Sequence, residues 1–226
     1  MRTLLSLFCS VLAAYAALSS PIRDNSAARN LGYISDSEIV PIAYLESTGE
    51  QYLLLPEAID GIDCFILPQA NYYHYQGQSV GRYNGASRTD AIVFQRQNGY
   101  GLSVSNGSNS PVYTYDMSRN HLFHVVVHGT AVDVDGIAYT MGAAWASNPS
   151  AFKTSPFALF GSYRTDTKLV QTQSCRIGRC ALYVGDELLY DLVPMRKGSE
   201  GFFLDLVSGD LYRNQGSGSF IIGPDL

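Results

Sequence analysis

Short apolar segments alternate with turns along residues 41–226, and many of them have the two-residue period of β-strands. Ile62, Cys64 and Ile66 share one face of such a segment, and residues 121–128 contain a run of valines. No long stretch has the 3.6-residue period of an amphipathic helix. About a dozen short strands in one chain predict an all-β fold, either a sandwich or a barrel.

Two dipeptides indicate tight turns between neighbouring segments. Asn98-Gly99 and Asp135-Gly136 each separate two apolar runs. Both residues of such a pair tolerate the positive φ that a two-residue hairpin loop requires. The sequence therefore predicts a β-hairpin at each position.

Composition and charge narrow the class of protein. The chain has 226 residues, of which 46% are hydrophobic and 15% are charged, with 21 glycines, 16 tyrosines and a net charge of −5. The length suits one β-sandwich domain. Because the few basic residues are scattered, nothing indicates a nucleic-acid or acidic-membrane partner.

The first residues have the features of a secretory signal peptide. Arg2 precedes an apolar run over residues 3–18, and Ala14-Tyr15-Ala16 fits the small-x-small pattern of a cleavage site. The run is short for a bilayer span. A buried N-terminal helix is the alternative. We expect cleavage after Ala16, with no transmembrane segment afterwards.

Three regions follow from these features. Residues 1–16 are the expected signal peptide, and residues 17–40, rich in Ser, Asn, Asp and Arg, are an expected linker or loosely ordered segment. Residues 41–226 form the expected domain. The predicted location is secreted, periplasmic or at the cell surface.

Three cysteines follow the apolar run, namely Cys64, Cys175 and Cys180. Along one extended strand, the Cα atoms of Cys175 and Cys180 are roughly 16 Å apart, which is beyond disulfide reach. Only a turn at Gly178 would bring them together. Small buried hydrophobic thiols are the favoured interpretation, and a bridge from Cys64 to either of the others stays open.

Four motifs in order resemble a known family. Residues 44–52 read Tyr-Leu-Glu-Ser-Thr-Gly-Glu-Gln-Tyr, residues 124–136 lead from His through a valine-rich strand to Val-Asp-Gly, and residues 175–194 and 196–224 form the C-terminal strands. Together they cover most of residues 41–226. The chain thus resembles the LamG-like members of the concanavalin A-like lectin/glucanase superfamily, which occur in bacterial and phage surface proteins.

The resemblance implies a jelly-roll sandwich of two antiparallel sheets, with the first and last strands paired in one sheet. Residues 44–46 and 220–222 are apolar segments near opposite ends of the predicted domain, and pairing them would hide two strand edges. In this family, the concave sheet and its rim loops often bind glycans, sometimes with calcium.

Catalysis is not expected. Glucanases of the superfamily carry Glu-x-Asp-x-Glu or a close variant, and the chain has no such run. The nearest same-face acidic pair is Asp133 and Asp135, but Asp135 is better explained as the turn residue before Gly136. Glycoside hydrolysis is therefore the third function considered, and we expect no enzyme activity.

Metal binding has one open candidate. On a strand, His124 and His128 are roughly 13 Å apart, whereas two nitrogens on one zinc ion are about 3.3 Å apart. Hydrogen-bonded or solvent-facing histidines are therefore expected. Calcium stays open through Asp133, Asp135 or Asp166 with backbone carbonyls, because it prefers oxygen ligands. No other cofactor is expected.

Aromatic residues give the positive functional signal. Tyr72, Tyr73 and Tyr75 lie in residues 71–118, which match the family poorly, and Trp145 lies near a later loop. Sugar rings stack on such side chains, although tyrosines also suit half-buried strands. We predict an exported, non-catalytic module that binds glycans. A structural or adhesive module that binds a surface protein is the alternative.

Overall fold

The computed structural model describes residues 38–57, 59–68, 78–83, 91–97, 100–105, 112–113, 121–129, 131–140 and 155–226. Within these residues there are nineteen β-strands and no helix, and hence no apolar helix of bilayer-spanning length. The strands in chain order are β1 (Ile39–Pro41), β2 (Leu45–Thr48), β3 (Leu53–Leu55), β4 (Gly61–Pro68), β5 (Gln78–Tyr83), β6 (Ala91–Gln97), β7 (Tyr100–Ser105), β8 (Val112–Tyr113), β9 (Phe123–His128), β10 (Ala131–Val134), β11 (Ile137–Thr140), β12 (Phe157–Leu159), β13 (Gly161–Arg164), β14 (Leu169–Thr172), β15 (Ser174–Val184), β16 (Glu187–Lys197), β17 (Glu200–Asp205), β18 (Leu211–Tyr212) and β19 (Ile221–Ile222).

The strands form two sheets. The larger sheet has eleven strands in the order β11-β10-β9-β4-β15-β16-β17-β18, with β1 paired to β16, and β2 paired to both β15 and β19. The smaller sheet has eight strands, of which six follow the order β14-β13-β5-β6-β7-β8 and β12 links β5 to β3. Among the described pairings only β5 with β13 is parallel. The predicted all-β sandwich of two mainly antiparallel sheets is confirmed.

The core lies between the sheets. Inward residues of the larger sheet, including Cys64 and Ile66 on β4, join residues of the smaller sheet, including Leu53, Val80 and Leu159, in one buried cluster. Along β4 and β9, alternation puts every second side chain into this cluster. Full burial of each large aliphatic side chain contributes about 1.5–3 kcal/mol.

The first and last segments of the domain pair as predicted. In the register of β2 with β19, Leu45 is opposite Ile222 and Glu46 is opposite Ile221. The edge of the larger sheet is thereby covered at this position. Strand β1 begins at Ile39, so regular pairing starts two residues before the predicted boundary at Pro41.

The turn after β2 takes the chain from the larger sheet to the smaller one. The buried Gln51 side chain fixes this turn, because its Oε1 accepts a hydrogen bond from the Thr48 amide (2.8 Å) and its Nε2 donates to the Ser217 carbonyl (3.0 Å). Gly216 lies against the same turn, and a Cβ there would be 2.0 Å from the Glu50 carbonyl oxygen. The C-terminal loop is thus held to residues 48–51.

The predicted hairpin at Asp135-Gly136 is present between β10 and β11. Both residues have positive φ, 53° and 82°, as a two-residue hairpin loop requires. Asn98 and Gly99 lie outside the described residues. The strands flanking them, β6 and β7, are paired as predicted.

A bulge in β15 sets the direction of two cysteines. Cys175 and Cys180 are five residues apart, so a regular strand would point them to opposite faces. The register between β15 and β4 shifts between Ile177 and Cys180, at Gly178 and Arg179, and both cysteines consequently face the core. Cys64, Cys175 and Cys180 are all buried free thiols, as the favoured interpretation of the sequence expected.

Candidate functional site on the outer face of the larger sheet

The outward-facing residues of β4 begin the candidate site. Ile62, Cys64 and Ile66 point into the core, so Asp63 and Phe65 point to the opposite face. Phe65 is 36% exposed, which is high for a phenylalanine in the middle of a central strand. Asp63 and Phe65 therefore lie on the outer face of the larger sheet.

His124 of β9 lies directly opposite Phe65 in the sheet register. The two rings stack with their centroids 4.6 Å apart and their planes 16° apart. His124 Nε2 is 2.8 Å from Asp63 Oδ1, and the hydrogen bond to Asp63 raises the pKa of His124, against the opposing effect of burial. The carboxylate therefore orients the imidazole that stacks against the exposed phenylalanine ring.

An ion pair on β15 and β16 continues this face. Arg179 Nε is 2.7 Å from Asp191 Oδ1, and Arg179 Nη2 is 2.6 Å from Asp191 Oδ2. The hydrogen bond to Asp191 raises the pKa of Arg179, so its positive charge is firmly fixed. Burial raises the pKa of Tyr183, and the charges of Asp63 and Asp191 raise it further. The outer-face cluster is defined as Asp63, Phe65, His124, Arg179, Tyr183 and Asp191.

A second charged and aromatic group lies beside the outer-face cluster. Arg176 is opposite Glu46 across β15 and β2, with Nε 2.7 Å from Oε2. The Arg176 guanidinium carbon is 4.8 Å from the centroid of the Tyr44 ring, a cation–π contact. The face therefore alternates aromatic rings with paired charges.

Gly178 leaves the space that the Phe65 side chain occupies on this face. A Cβ at Gly178 would be 3.0 Å from the Cβ of Phe65 and 3.1 Å from the Ala43 carbonyl oxygen. Only a residue without a side chain fits there without a shift of its neighbours. The bulge in β15 thus supports Phe65 as well as directing Arg179 outward.

Two of the three calcium candidates, Asp133 and Asp135, form hydrogen bonds within the β10–β11 hairpin and between this hairpin and β9. Asp133 Oδ1 accepts a hydrogen bond from the Gly136 amide at 2.7 Å. Asp135 Oδ1 accepts from the His124 amide at 2.9 Å, and its Oδ2 is 2.9 Å from His121 Nε2. Both carboxylates act as local hydrogen-bond acceptors in the structure.

The third candidate, Asp166, belongs to the smaller sheet. It follows β13 and is bound by Arg164, with Nε 3.0 Å from Oδ1 and Nη2 2.6 Å from Oδ2. In the part of the chain that the structure describes, no three His, Cys, Asp or Glu side chains are grouped to hold a metal ion. Calcium binding by these residues remains a sequence prediction.

Two histidines of β9 and His121, which lies just before this strand, each contact a different carboxylate. The pairs are His121 with Asp135, His124 with Asp63, and His128 with Asp186. This agrees with the expectation of hydrogen-bonded histidines on a strand.

The sequence-predicted aromatic residues Tyr72, Tyr73, Tyr75 and Trp145 lie outside the described residues. Their role in binding stays a prediction. The outer-face cluster was not identified from the sequence. The sequence pattern of β4 could have indicated part of it, because if Cys64 faces the core, alternation places Asp63 and Phe65 on the outer face. The partners on β15 and β16 had no such signal.

Comparison with known proteins adds no relative: no protein-family model and no curated protein matches the chain. The resemblance to LamG-like domains therefore stays a sequence-based hypothesis. The structure supports the β-sandwich and its paired terminal segments.

Proposed function

We propose that the chain is an exported, LamG-like jelly-roll module that binds glycans without catalysis, and that the outer-face cluster is part of its binding surface. The observation that carries the proposal is the exposed Phe65 ring stacked on His124 and flanked by Asp63. Apolar faces of sugar rings pack on aromatic side chains, and nearby polar groups bind the hydroxyls.

The ion pairs around Phe65 favour a preformed site. Asp63 holds His124, and Asp191 holds Arg179 through two hydrogen bonds. Side chains fixed in this way lose little conformational entropy on binding. A shallow, rigid surface of this kind suits recognition of a preorganised sugar ring.

The charges on the face indicate the class of glycan. Asp63 and Asp191 are paired with His124 and Arg179, and Glu46 is paired with Arg176. With His124 protonated, the three basic groups balance the three carboxylates, and with His124 neutral these six groups have one net negative charge, so in neither state do they form a positive surface for an anionic glycan. Neutral hexose-containing glycans are therefore favoured over sulfated or sialylated ones.

The experiment is a glycan array followed by titration of the best neutral glycan. Phe65→Ala should weaken binding at least about tenfold, because one stacking surface is lost. Leu169→Ala removes a 65% exposed side chain from the smaller sheet and is the matched control. Tyr73→Ala tests the sequence-predicted loop separately. Undiminished binding by a folded Phe65→Ala protein would refute the role of this face.

A protein-binding function is favoured by a different observation. Strand β11 is at the end of the larger sheet order, and its Ile137 side chain is exposed. Edge strands without proline or lysine can pair with a strand of another protein. An Ile137→Lys variant that loses cell-surface protein binding, while Phe65→Ala retains it, would favour this function over glycan recognition.

A further inference from the structure

Two of the three buried cysteines face each other across neighbouring strands. In the register of β4 with β15, Cys64 is directly opposite Cys180, and both side chains are fully buried. Their inward direction follows from the alternation of β4 and from the bulge in β15.

This placement is within disulfide reach. Directly opposite residues of an antiparallel pair have Cα atoms about 4.5–5.5 Å apart. Disulfides span Cα distances of about 4.4–6.8 Å. No large movement of the backbone is needed for the two sulfur atoms to bond.

Cys175 lacks such a partner. Its neighbours in the register are Pro68 on β4 and Ser47 on β2, and its Sγ lies 3.9 Å from the Ser79 carbonyl oxygen of the smaller sheet. The two candidates that the sequence left open for Cys64 are thus distinguished by register. Cys180 is the partner.

We propose that Cys64 and Cys180 form a disulfide when the chain folds under oxidising conditions, and that Cys175 stays a thiol. A thiolate of one cysteine attacks a low-molecular-weight disulfide and releases one small thiol. The thiolate of the second cysteine then displaces the other small thiol from this mixed disulfide. Two cysteine thiols lose two protons and two electrons, and the small disulfide is reduced to two thiols.

The order of events follows from burial. Burial raises the pKa of the Cys64 thiol well above its ordinary value, and the adjacent Cys180 raises it further. A protonated, buried thiol is a poor nucleophile. The bond therefore forms before the smaller sheet closes over β4 and β15, and the finished core protects it from reductants.

The proposed disulfide does not depend on glycan binding. It rests on the proposed function in one respect, because export would bring the chain into an oxidising compartment. The test needs no glycan. The full chain is refolded with a mixture of oxidised and reduced glutathione, then denatured in a thiol-alkylating reagent and mapped by peptide mass spectrometry without reductant. The expected result is a peptide pair joined through Cys64 and Cys180, about 2 Da lighter than the two free peptides, with Cys175 alkylated.

Two cysteine variants test which residue is bonded to Cys64, and a comparison of oxidised with reduced protein tests the effect of the bond on stability. Cys175→Ala should keep the joined peptides, whereas Cys180→Ala should lose them. Because the bond closes a loop over residues 64–180, oxidised protein should melt about 5–15 °C above the reduced protein. Alkylation of both Cys64 and Cys180 in the oxidised wild-type chain, or a bridge to Cys175, would overturn the proposal even if a variant failed to fold.

Discussion

Arg179 and Asp191 are joined by two hydrogen bonds across β15 and β16, at 2.7 and 2.6 Å. The bulge that turns Cys180 toward the core also sets Arg179 on the outer face. Core packing and the outer-face cluster therefore depend on one backbone irregularity. Shortening β15 by one residue would regularise the strand and misplace one of the two faces.

The first prediction concerns this ion pair. Asp191→Asn should destabilise the protein by about 1.5–3 kcal/mol, because a largely buried, charge-assisted contact is weakened. Asp166→Asn removes a charge from the exposed pair with Arg164 and should leave stability unchanged. Urea unfolding of both variants measures the difference. Equal stability of the two variants would contradict the structural role of Asp191.

The second prediction uses two adjacent residues at the C-terminal end of the domain. Phe220 is buried, with its ring centroid 4.7 Å from that of Phe160, whereas Ile221 is 47% exposed. Phe220→Ala should cost about 3–5 kcal/mol through loss of burial and a residual cavity. Ile221→Ala should cost under about 1 kcal/mol, because its side chain is half in water. Denaturant midpoints of the two variants test whether β19 closes the core.

The third prediction concerns Gly216. An alanine Cβ there would overlap the Glu50 carbonyl oxygen at 2.0 Å. Gly216→Ala should therefore displace the loop from Gln51 and destabilise the protein by about 1–3 kcal/mol. Ser219→Ala, at an exposed position in the same segment, is the control. Faster hydrogen exchange at the Ser217 amide would locate the change.

The fourth prediction is a pH dependence. The hydrogen bond to Asp63 raises the pKa of His124. Native His124 thus holds its proton to higher pH than unfolded His124, whose pKa is about 6.5. The stabilisation of the folded state by the His124–Asp63 contact is therefore fully present below the pKa of unfolded His124. It is lost as pH rises through the raised pKa of native His124.

The measurement is an NMR titration of His124 together with denaturation at several pH values. Asp63→Asn should lower the pKa of His124 and remove this part of the pH dependence. Asp186→Asn, which alters the contact of His128, should leave the His124 titration unchanged. An unaltered titration in Asp63→Asn would exclude the carboxylate as the cause.

Local patterns predicted much of the fold. The Asp135-Gly136 hairpin followed from turn chemistry, and the inward direction of Cys64 followed from alternation with Ile62 and Ile66. Both depend on residues close in the chain. The pairing of β2 with β19 is long-range; it was expected from the resemblance to LamG-like domains, and the apolar character of both segments agreed with it.

The outer-face cluster required information that no single segment contains. Phe65 meets His124, and Arg179 meets Asp191, because of the register between strands. The bulge at Gly178 breaks the period of two, so alternation from Cys175 predicts the wrong face for Cys180. Long-range register and one irregular position therefore separate the predicted fold from the candidate site.

The pairing of Leu45 with Ile222 also has a mechanical consequence. The two strands are antiparallel, so the start of β2 lies beside the end of β19. A pulling force on the residues flanking this pair would load its hydrogen bonds one after another, as in unzipping, rather than all together in shear. Tension along the chain should therefore peel this seam at low force while the central strands stay intact.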